Sequence, residues 1–489
     1  MSIKQIAPKI IEQQMKVYAR LACVDLPEKD REYAENNRSE LKSVEVIPVE
    51  LTEDNLALAF ANRHKNDLRY CHTRRSWFAW DGTRWKQENT LLAFHYAREL
   101  CRDHNRNLDK NAAHAVAKVR TAHAVEKFAI SDRRFAVTEE FWNSDPWLLA
   151  TPTGTVDLRT GYLRSSDPGD HITLCTTVGP EDGEPKLWFQ FLKEATNGDK
   201  ELQYFLQQIS GYCLTGITRE HALFFLYGPG GNGKGIFVNT LAEIMGEYAT
   251  SAPMDAFTAS KHDRHPTDLA GLAGARMVTA SETEEGRAWA ESRIKQITGG
   301  DPIKARFMRQ DFFEYLPEFK LMFLGNHKPV LKNVDEAAKR RFNILPFTHK
   351  PETPDLELQE KLKAEYGRIL TWMIEGCLDW QQNRLIRPKI VTEATAEYFD
   401  EQDLFAQWLD EDTEKKSERI GESTKILYAR WKKFSEAAGD SPGTQKSFRD
   451  SMRQHGYVYV KHLPNDNGKS GFIGVSVVVQ EDRYRAYAD

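Results

Sequence analysis

Residues Leu223-Phe-Phe-Leu-Tyr-Gly-Pro-Gly-Gly-Asn-Gly-Lys-Gly-Ile-Phe-Val-Asn-Thr240 join an apolar run of strand length to a run that reads as a helix from Ile236. Between them stand Gly228, Pro229, Gly230, Gly231, Asn232, Gly233, Lys234 and Gly235, a Gly-x-x-x-x-Gly-Lys loop. Glycines there let backbone N–H groups converge on an anion without a Cβ in the way. The helix N-terminus adds partial positive charge, and the lysine reaches the β- and γ-phosphates of a nucleotide. The expected ligand is ATP with Mg²⁺. One position departs from the pattern: the hydroxyl residue that follows the lysine, a magnesium ligand, is here Gly235. A glycine-rich surface turn is the bland alternative, but strand before and helix after are the context a phosphate loop requires.

The chain has 489 residues, a length that suggests roughly three domains. Its 40% apolar and 28% charged residues are ordinary for a globular protein. A net charge of −5 gives no global attraction for nucleic acid, so any DNA site must be a local patch. The six cysteines are scattered without a Cys-x-x-Cys pair, which reads as reduced thiols rather than zinc ligands or a disulfide framework. No apolar stretch approaches the ~20 residues of a membrane span, and the expected compartment is the cytoplasm.

Along the chain, residues 1–50 read as a polar extension and 51–180 as an α+β domain. Within the latter, Trp77 to Trp85 is a hairpin about Asp81-Gly82, and Trp147 to Gly161 holds a second. Tryptophans and arginines alternate in the first hairpin; they are either core or a base-stacking platform, with core favoured. Residues 181–222 are helical and suit a collar. Four apolar strand-like runs follow in 223–350, alternating with helices or loops, which implies a mostly parallel sheet. A helix is expected over Lys361–Trp380 within a connection spanning 351–400. Residues 401–489 read as helix, helix, hairpin, a winged-helix order. Thr444 caps its second helix, Phe448 and Met452 face inward, and Lys446, Arg449 and Arg453 face out. That basic face suits a DNA groove, although winged helices also contact proteins.

The remaining chemistry is placed relative to the loop. Arg276 to Glu285 is a strand ending in acids, and at the carboxyl end of a parallel strand these face the loop. Glu282 is the first choice for holding Mg²⁺, and Glu284 the second for orienting the attacking water. Asn326, at the end of the strand Phe319–Gly325, is placed to bond the γ-phosphate or the water. Arg340 and Arg341, just before the strand Phe342–Phe347, suit a finger reaching the next subunit's nucleotide; an internal salt bridge is the alternative. Gly299, Gly300 and Pro302 mark a tight reversal, and Lys304, Arg306 and Arg309 give the loop beside it three cations for a strand's phosphates.

The motifs GPGGNGKG, ASETEEG, IKQITGGDPIKARFMRQDFFEY, FKLMFLGNHKP and DEAAKRRFNILPF occur in that order. This resembles the phage/plasmid primase–helicase family, whose motor belongs to helicase superfamily 3 and is also seen in poxvirus primase–helicases. PWLLATPTGTVDLRTG resembles the domain preceding that motor. The resemblance implies an α/β, AAA+-like P-loop NTPase core with an α+β N-terminal domain, a helical collar and a C-terminal winged helix. It implies a homo-hexameric ring that translocates 3′ to 5′ on single-stranded DNA and acts on forks, partnered by a separate primase or replication initiator. It assigns Lys234 to phosphates, Glu282 and Glu284 to the acidic motif, Asn326 to the sensor, Arg340 and Arg341 to the finger region, and Lys304 and Arg306 to the DNA loop. Because only about fifty residues precede the shared part, primer synthesis by this chain is not expected. A nucleotide-switched DNA-binding initiator without processive unwinding is the competing function, favoured by Gly235.

Overall fold

The four consecutive apolar side chains of Leu223–Tyr227 (β1) are fully buried, which requires cover on both faces. The computed structural model describes residues 52–105, 109–259, 267–281, 287–308, 311–331, 336–466 and 468–478. β1 lies inside a parallel sheet with Ala249–Ser251 (β2), Met277–Ser281 (β3), Lys320–Gly325 (β4) and Phe342–Pro346 (β5), in the order β5-β1-β4-β3-β2. Phe225 sits opposite Phe323 on one side and Ile344 on the other. Leu223 and Phe225 pack into one layer with Trp289 and Tyr398, whereas Phe224 and Leu226 pack into the opposite layer with Phe205 and Phe237. Each buried phenylalanine contributes about 2–3 kcal/mol. Four strand-like runs are expected, and among the described residues five strands form the parallel sheet. The extra one, β2, is a short polar edge strand with no apolar signal.

Ahead of the sheet, the region read as helical divides into two helices, Lys186–Ala195 (α1) and Lys200–Leu214 (α2). Lys234–Met245 (α3) follows the phosphate loop, and Glu291–Gly299 (α4) follows the acidic segment. The helix expected over Lys361–Trp380 divides: Leu358–Leu362 and a 3₁₀ turn come first, and Tyr366–Asn383 (α5) is the long helix. α5 and α2 meet at glycines. A Cβ on Gly211 would lie 2.0 Å from Cys377 N, and one on Gly376 2.2 Å from Gln207 O, so neither position tolerates a side chain. Lys389–Gln402 (α6) then packs against β5.

Two buried cations tie α2 to the sheet. Arg276, immediately before β3, donates to Leu214 O (2.7 Å) and Leu148 O (2.8 Å), with its guanidinium 4.6 Å over Tyr248. Lys320, the first residue of β4, donates to Thr215 O and to Glu318 O (3.1 Å). Carbonyls at a helix C-terminus lack intrahelical donors and carry partial negative charge, so they are natural partners for these groups. Burial pushes the Lys320 ammonium down to about 7.

The glycines read as a tight reversal do different work. Gly299 ends α4 and Gly300 is its left-handed cap (φ 81°), after which Ile303–Ala305 pairs antiparallel with Phe313–Tyr315. The reversal of this ribbon therefore falls between residues 305 and 313, beyond the glycines.

Among the described residues, those in 66–89 and from 137 on form one unit, and those in 52–65 and 90–136 form another. In the larger unit Leu68–Cys71, Ser76–Trp80 and Trp85–Gln87 make an antiparallel meander about the Asp81 turn, with Trp85 fully buried. Leu148–Thr151, Gly154–Asp157 and Tyr162–Arg164 make another. The smaller unit is helical, from Glu53–His64 capped by Thr52 to Leu92–Asn105 and Val119–Ser131. At the carboxyl end come Leu404–Asp412 (α7), Thr424–Ala437 (α8) and Gln445–Gln454 (α9), then strands Val458–Val460 and Gly471–Ile473. The expected cap is present: Ser447 N donates to Thr444 Oγ1 (3.1 Å) and Thr444 N to Ser447 Oγ (2.8 Å). The expected extension over residues 1–50 lies outside the described residues. Among the described residues no helix is long and apolar enough to cross a membrane.

Candidate functional site

Parallel strands place their carboxyl ends on one edge, and the loop after β1 occupies that edge. Gly228, Gly231 and Gly233 have φ of 153°, 79° and 87°, conformations that other residues rarely adopt. A Cβ on Gly228 would lie 1.9 Å from Phe347 O, so this glycine is also fixed by close approach. Asn232, 2% exposed, donates its amide to the same Phe347 carbonyl and pins the loop to the end of β5. Pro229 and Gly230 form the exposed crest, and nothing lies within 4 Å of a Cβ built on Gly230 or Gly235.

Lys234 begins α3 and turns back under the loop. Its Nζ donates to Gly228 O (2.5 Å), Pro229 O (3.2 Å), Asn232 Oδ1 (3.1 Å) and Asn326 Oδ1 (3.2 Å). All four acceptors are neutral, and burial lowers the ammonium's pKa. A cation held by neutral oxygens at a helix N-terminus gains when phosphate oxygens replace them. The loop therefore fits a nucleotide's phosphates. The strand order also brings Asn326, at the end of β4, to the lysine. β3 ends beside it, with Ser281 opposite Leu324. Glu282 and Glu284, which follow directly, lie outside the described residues, so the expected magnesium ligand has no geometry here. No cluster of three metal-ligating side chains exists among the described residues.

The arginine pair lies on the opposite edge, before β5 rather than after it. Arg341 is half-buried and engaged: Nε donates to Thr298 Oγ1 (3.1 Å) and Nη1 to Ala337 O (2.6 Å). These two bonds go to a hydroxyl and a carbonyl. Arg340 is exposed.

On the ribbon, Lys304 is 3.8 Å from Glu314 with both side chains well exposed, and the Arg306 guanidinium lies 4.7 Å from the centre of the Phe312 ring. Arg309 lies outside the described residues. Sequence reasoning overlooked the apolar side chains here: Phe307, Met308 and Phe312 are 43%, 71% and 50% exposed. Their signal was the spacing of aromatics among cations in Arg306-Phe-Met-Arg-Gln-Asp-Phe312. On α9, Lys446 is exposed, whereas Arg449 and Arg453 lie 5.9 and 5.7 Å over the Tyr459 ring.

A family model described as "D5 N terminal like" matches residues 57–197, and a family of unknown function (DUF5906) matches residues 226–341, from the end of β1 to Arg341. Putative helicase L207/L206 of Acanthamoeba polyphaga mimivirus is 27% identical over 291 residues, 54% of this chain and 30% of that protein. Putative helicase 121R of Invertebrate iridescent virus 3 is 25% identical over 273 residues, 50% and 29% respectively. The chain is similar to the helicase portion of viral primase–helicases. It spans about 30% of the length of those relatives. Among solved structures, the apo NrS-1 C-terminal region aligns with a TM-score of 0.47 at 13% identity, over 86% of this chain and 98% of that one.

One contact ties the end of α9 to Asp403, the residue that joins α6 to α7. His455, at the end of α9, places Nε2 3.1 Å from Asp403 Oδ2 and Nδ1 2.8 Å from Ser451 O. Asp403 also caps α7 through Ala406 N (2.9 Å), and Lys339 lies within electrostatic reach of both. The Asp403 bond raises the His455 pKa against the effect of burial. Burial pushes Asp403 up, but its bonds from His455 and Ala406 outweigh this and hold it low. The histidine's contribution is complete below about pH 6.5 and is lost as pH rises through its raised value; the aspartate's is complete above about pH 4 and lost on acidification. Protection of the Ala406 amide from hydrogen exchange, corrected for intrinsic rate, should therefore fall as pH rises above about 6.5. His455→Ala should remove the dependence. A protection factor that stays constant with pH in the unmodified chain would exclude the latch.

Proposed function

We propose that this chain is an ATP-dependent replicative DNA helicase motor that assembles as a six-membered ring and translocates 3′ to 5′ on single-stranded DNA. The observation that carries the reading is the joining of Lys234 and Asn326 from two strand ends beneath a glycine loop. In this reading the sheet is an AAA+-like P-loop core of superfamily 3, and the strand order β5-β1-β4-β3-β2 supports it. Lys234 and the loop bind the phosphates of ATP, Glu282 holds Mg²⁺, Glu284 orients water and Asn326 senses the γ-phosphate. Bound magnesium would supply charge neutralisation at the phosphates. Residues 181–222 act as the collar and 401–489 as a winged helix whose α9 presents Lys446, Arg449 and Arg453 to DNA. A forked substrate and a separate primase or initiator fit this role.

The ribbon is the DNA grip. Lys304 and Arg306 contact phosphates, and Phe307 and Phe312 offer ring faces to bases. Lys304→Ala combined with Arg306→Ala should spare basal ATPase, abolish its stimulation by single-stranded DNA and stop strand displacement on forks. Two lost phosphate contacts should also flatten the salt dependence of binding by about 1.4 units of log–log slope. The exposed Lys304–Glu314 pair is worth at most about 1 kcal/mol, too little to explain such losses structurally. Normal unwinding by the double variant would move the grip elsewhere. Gly235, which offers magnesium no hydroxyl, favours the second reading, a nucleotide-switched initiator. That reading predicts ATP-dependent DNA binding with no strand displacement on forks of either tail polarity.

A further inference from the structure

The smaller, helical unit runs against the charge of the chain. Its described residues carry ten Lys and Arg against seven Asp and Glu, whereas the whole chain carries 67 against 72. Two helices concentrate the excess. In Leu92–Asn105 the side chains of Ala93, Ala97, Leu100 and Cys101 are buried, which turns Arg98 and Arg102 outward. In Val119–Ser131 the buried residues are Thr121, Ala122, Val125 and Ala129, and Arg120, His123 and Lys127 follow one another along the opposite face. These two faces adjoin. Phe94 and His123 stack across the seam between the helices, their rings 4.3 Å apart and inclined by 24°. Arg98 stands one turn on from Phe94, Lys127 one turn on from His123, and Arg120 about one turn before it, so three cations surround the stacked pair. Arg102 continues the line by one more turn. The acids of the first helix are engaged elsewhere: Glu99 lies 3.3 Å from His95, and Asp103 lies 2.9 Å from Arg63. The second helix has a single acid, Glu126. Among the described residues no carboxylate is paired with Arg98, Arg102, Arg120 or Lys127.

Cations left unpaired on a rigid face repel one another and gain most from a polyanion. Single strands are gripped by cations interleaved with aromatic platforms. Here the Phe94–His123 pair is closed on itself. Val119 and Phe128, the exposed large apolar side chains of the second helix, lie on either side of its cation line rather than within it. An acidic protein segment would need an apolar anchor at the centre of its contact, and the same placement of Val119 and Phe128 withholds one. We propose that this face binds the phosphate backbone of double-stranded DNA without reading its sequence. Arg98, Arg120 and Lys127 make the central contacts and Arg102 extends them. The Phe94–His123 stack fixes the two helices so that the charges keep their spacing. The Lys234 loop takes no part, so this binding needs no nucleotide and stands or falls apart from the motor reading.

Arg98→Ala, Arg120→Ala and Lys127→Ala combined should leave the thermal melt of the full chain unchanged, since all three side chains are exposed and unpaired. Binding of a blunt duplex of about 30 base pairs and arbitrary sequence, without nucleotide, should weaken by more than about tenfold, and its log–log salt slope should flatten by about 2.7 units, roughly 0.9 per lost contact. Arg98→Lys combined with Arg120→Lys should keep the binding, because a phosphate accepts a point charge. Unchanged duplex affinity and slope in the folded triple variant would overturn the proposal. So would a loss that appears only with Lys446→Ala and Arg449→Ala on α9, which would place duplex binding there. A loss confined to single-stranded DNA would overturn the choice of duplex. Poly-glutamate competing as strongly as the duplex at equal charge concentration would make an acidic protein segment the occupant instead.

Discussion

Lys234→Ala should lower ATP turnover by roughly 10³-fold. The ammonium is already inside the loop, held by two backbone carbonyls and two side-chain amide oxygens. Each charge-assisted bond it forms to a phosphate oxygen is worth about 1.5–3 kcal/mol, and the gain grows as charge develops in the transition state. Alanine removes those bonds and also the tie between the loop and Asn326. A modest loss of stability, about 1–2 kcal/mol, should accompany the loss of activity. Steady-state phosphate release measured beside a thermal melt separates the two effects. Near-normal turnover in a folded variant would mean that the loop binds something other than the reacting nucleotide.

Arg276→Ala should cost about 3 kcal/mol of stability. This arginine is 3% exposed and bonds the last carbonyl of α2 together with Leu148 O. Its removal leaves two buried acceptors unpaired and a void above Tyr248. Lysine, with a single ammonium, can serve one carbonyl at a time, so Arg276→Lys should recover about half of the loss. Urea unfolding followed by tryptophan fluorescence reports the change as a lowered midpoint. An unchanged midpoint for Arg276→Ala would show that water or a backbone shift serves the carbonyls as well.

Much of this was legible along the chain, for physical reasons that differ by element. The phosphate loop could be read because its glycines, lysine and preceding apolar run are local constraints. Asn326 could be placed because parallel strands deliver their carboxyl ends to one edge whatever their order. β2 could not be read, since Ala249-Thr-Ser at a sheet edge needs no apolar side chains. The ribbon was displaced because Gly299 and Gly300 signal a turn without saying whether it caps a helix or reverses a strand. Arg340 and Arg341 could be placed just before a strand, but the bonds of Arg341 to Thr298 and Ala337 are a tertiary fact that local sequence does not carry. Lys320 was missed outright. In Phe319-Lys-Leu-Met it reads as a flanking charge, whereas its partner carbonyl at Thr215 lies a hundred residues earlier.

The two cations beneath the sheet bear on how this protein can be divided. Sequence invites a cut just before Leu223, where the strand and loop begin. A fragment cut there would lose Leu148 O, Leu214 O and Thr215 O, leaving the buried Arg276 without its two carbonyl partners and Lys320 without Thr215 O. The parallel sheet is therefore not a portable cassette. Any piece meant to fold alone, or to be grafted onto another protein, has to begin upstream of Leu148 and bring α1 and α2 along.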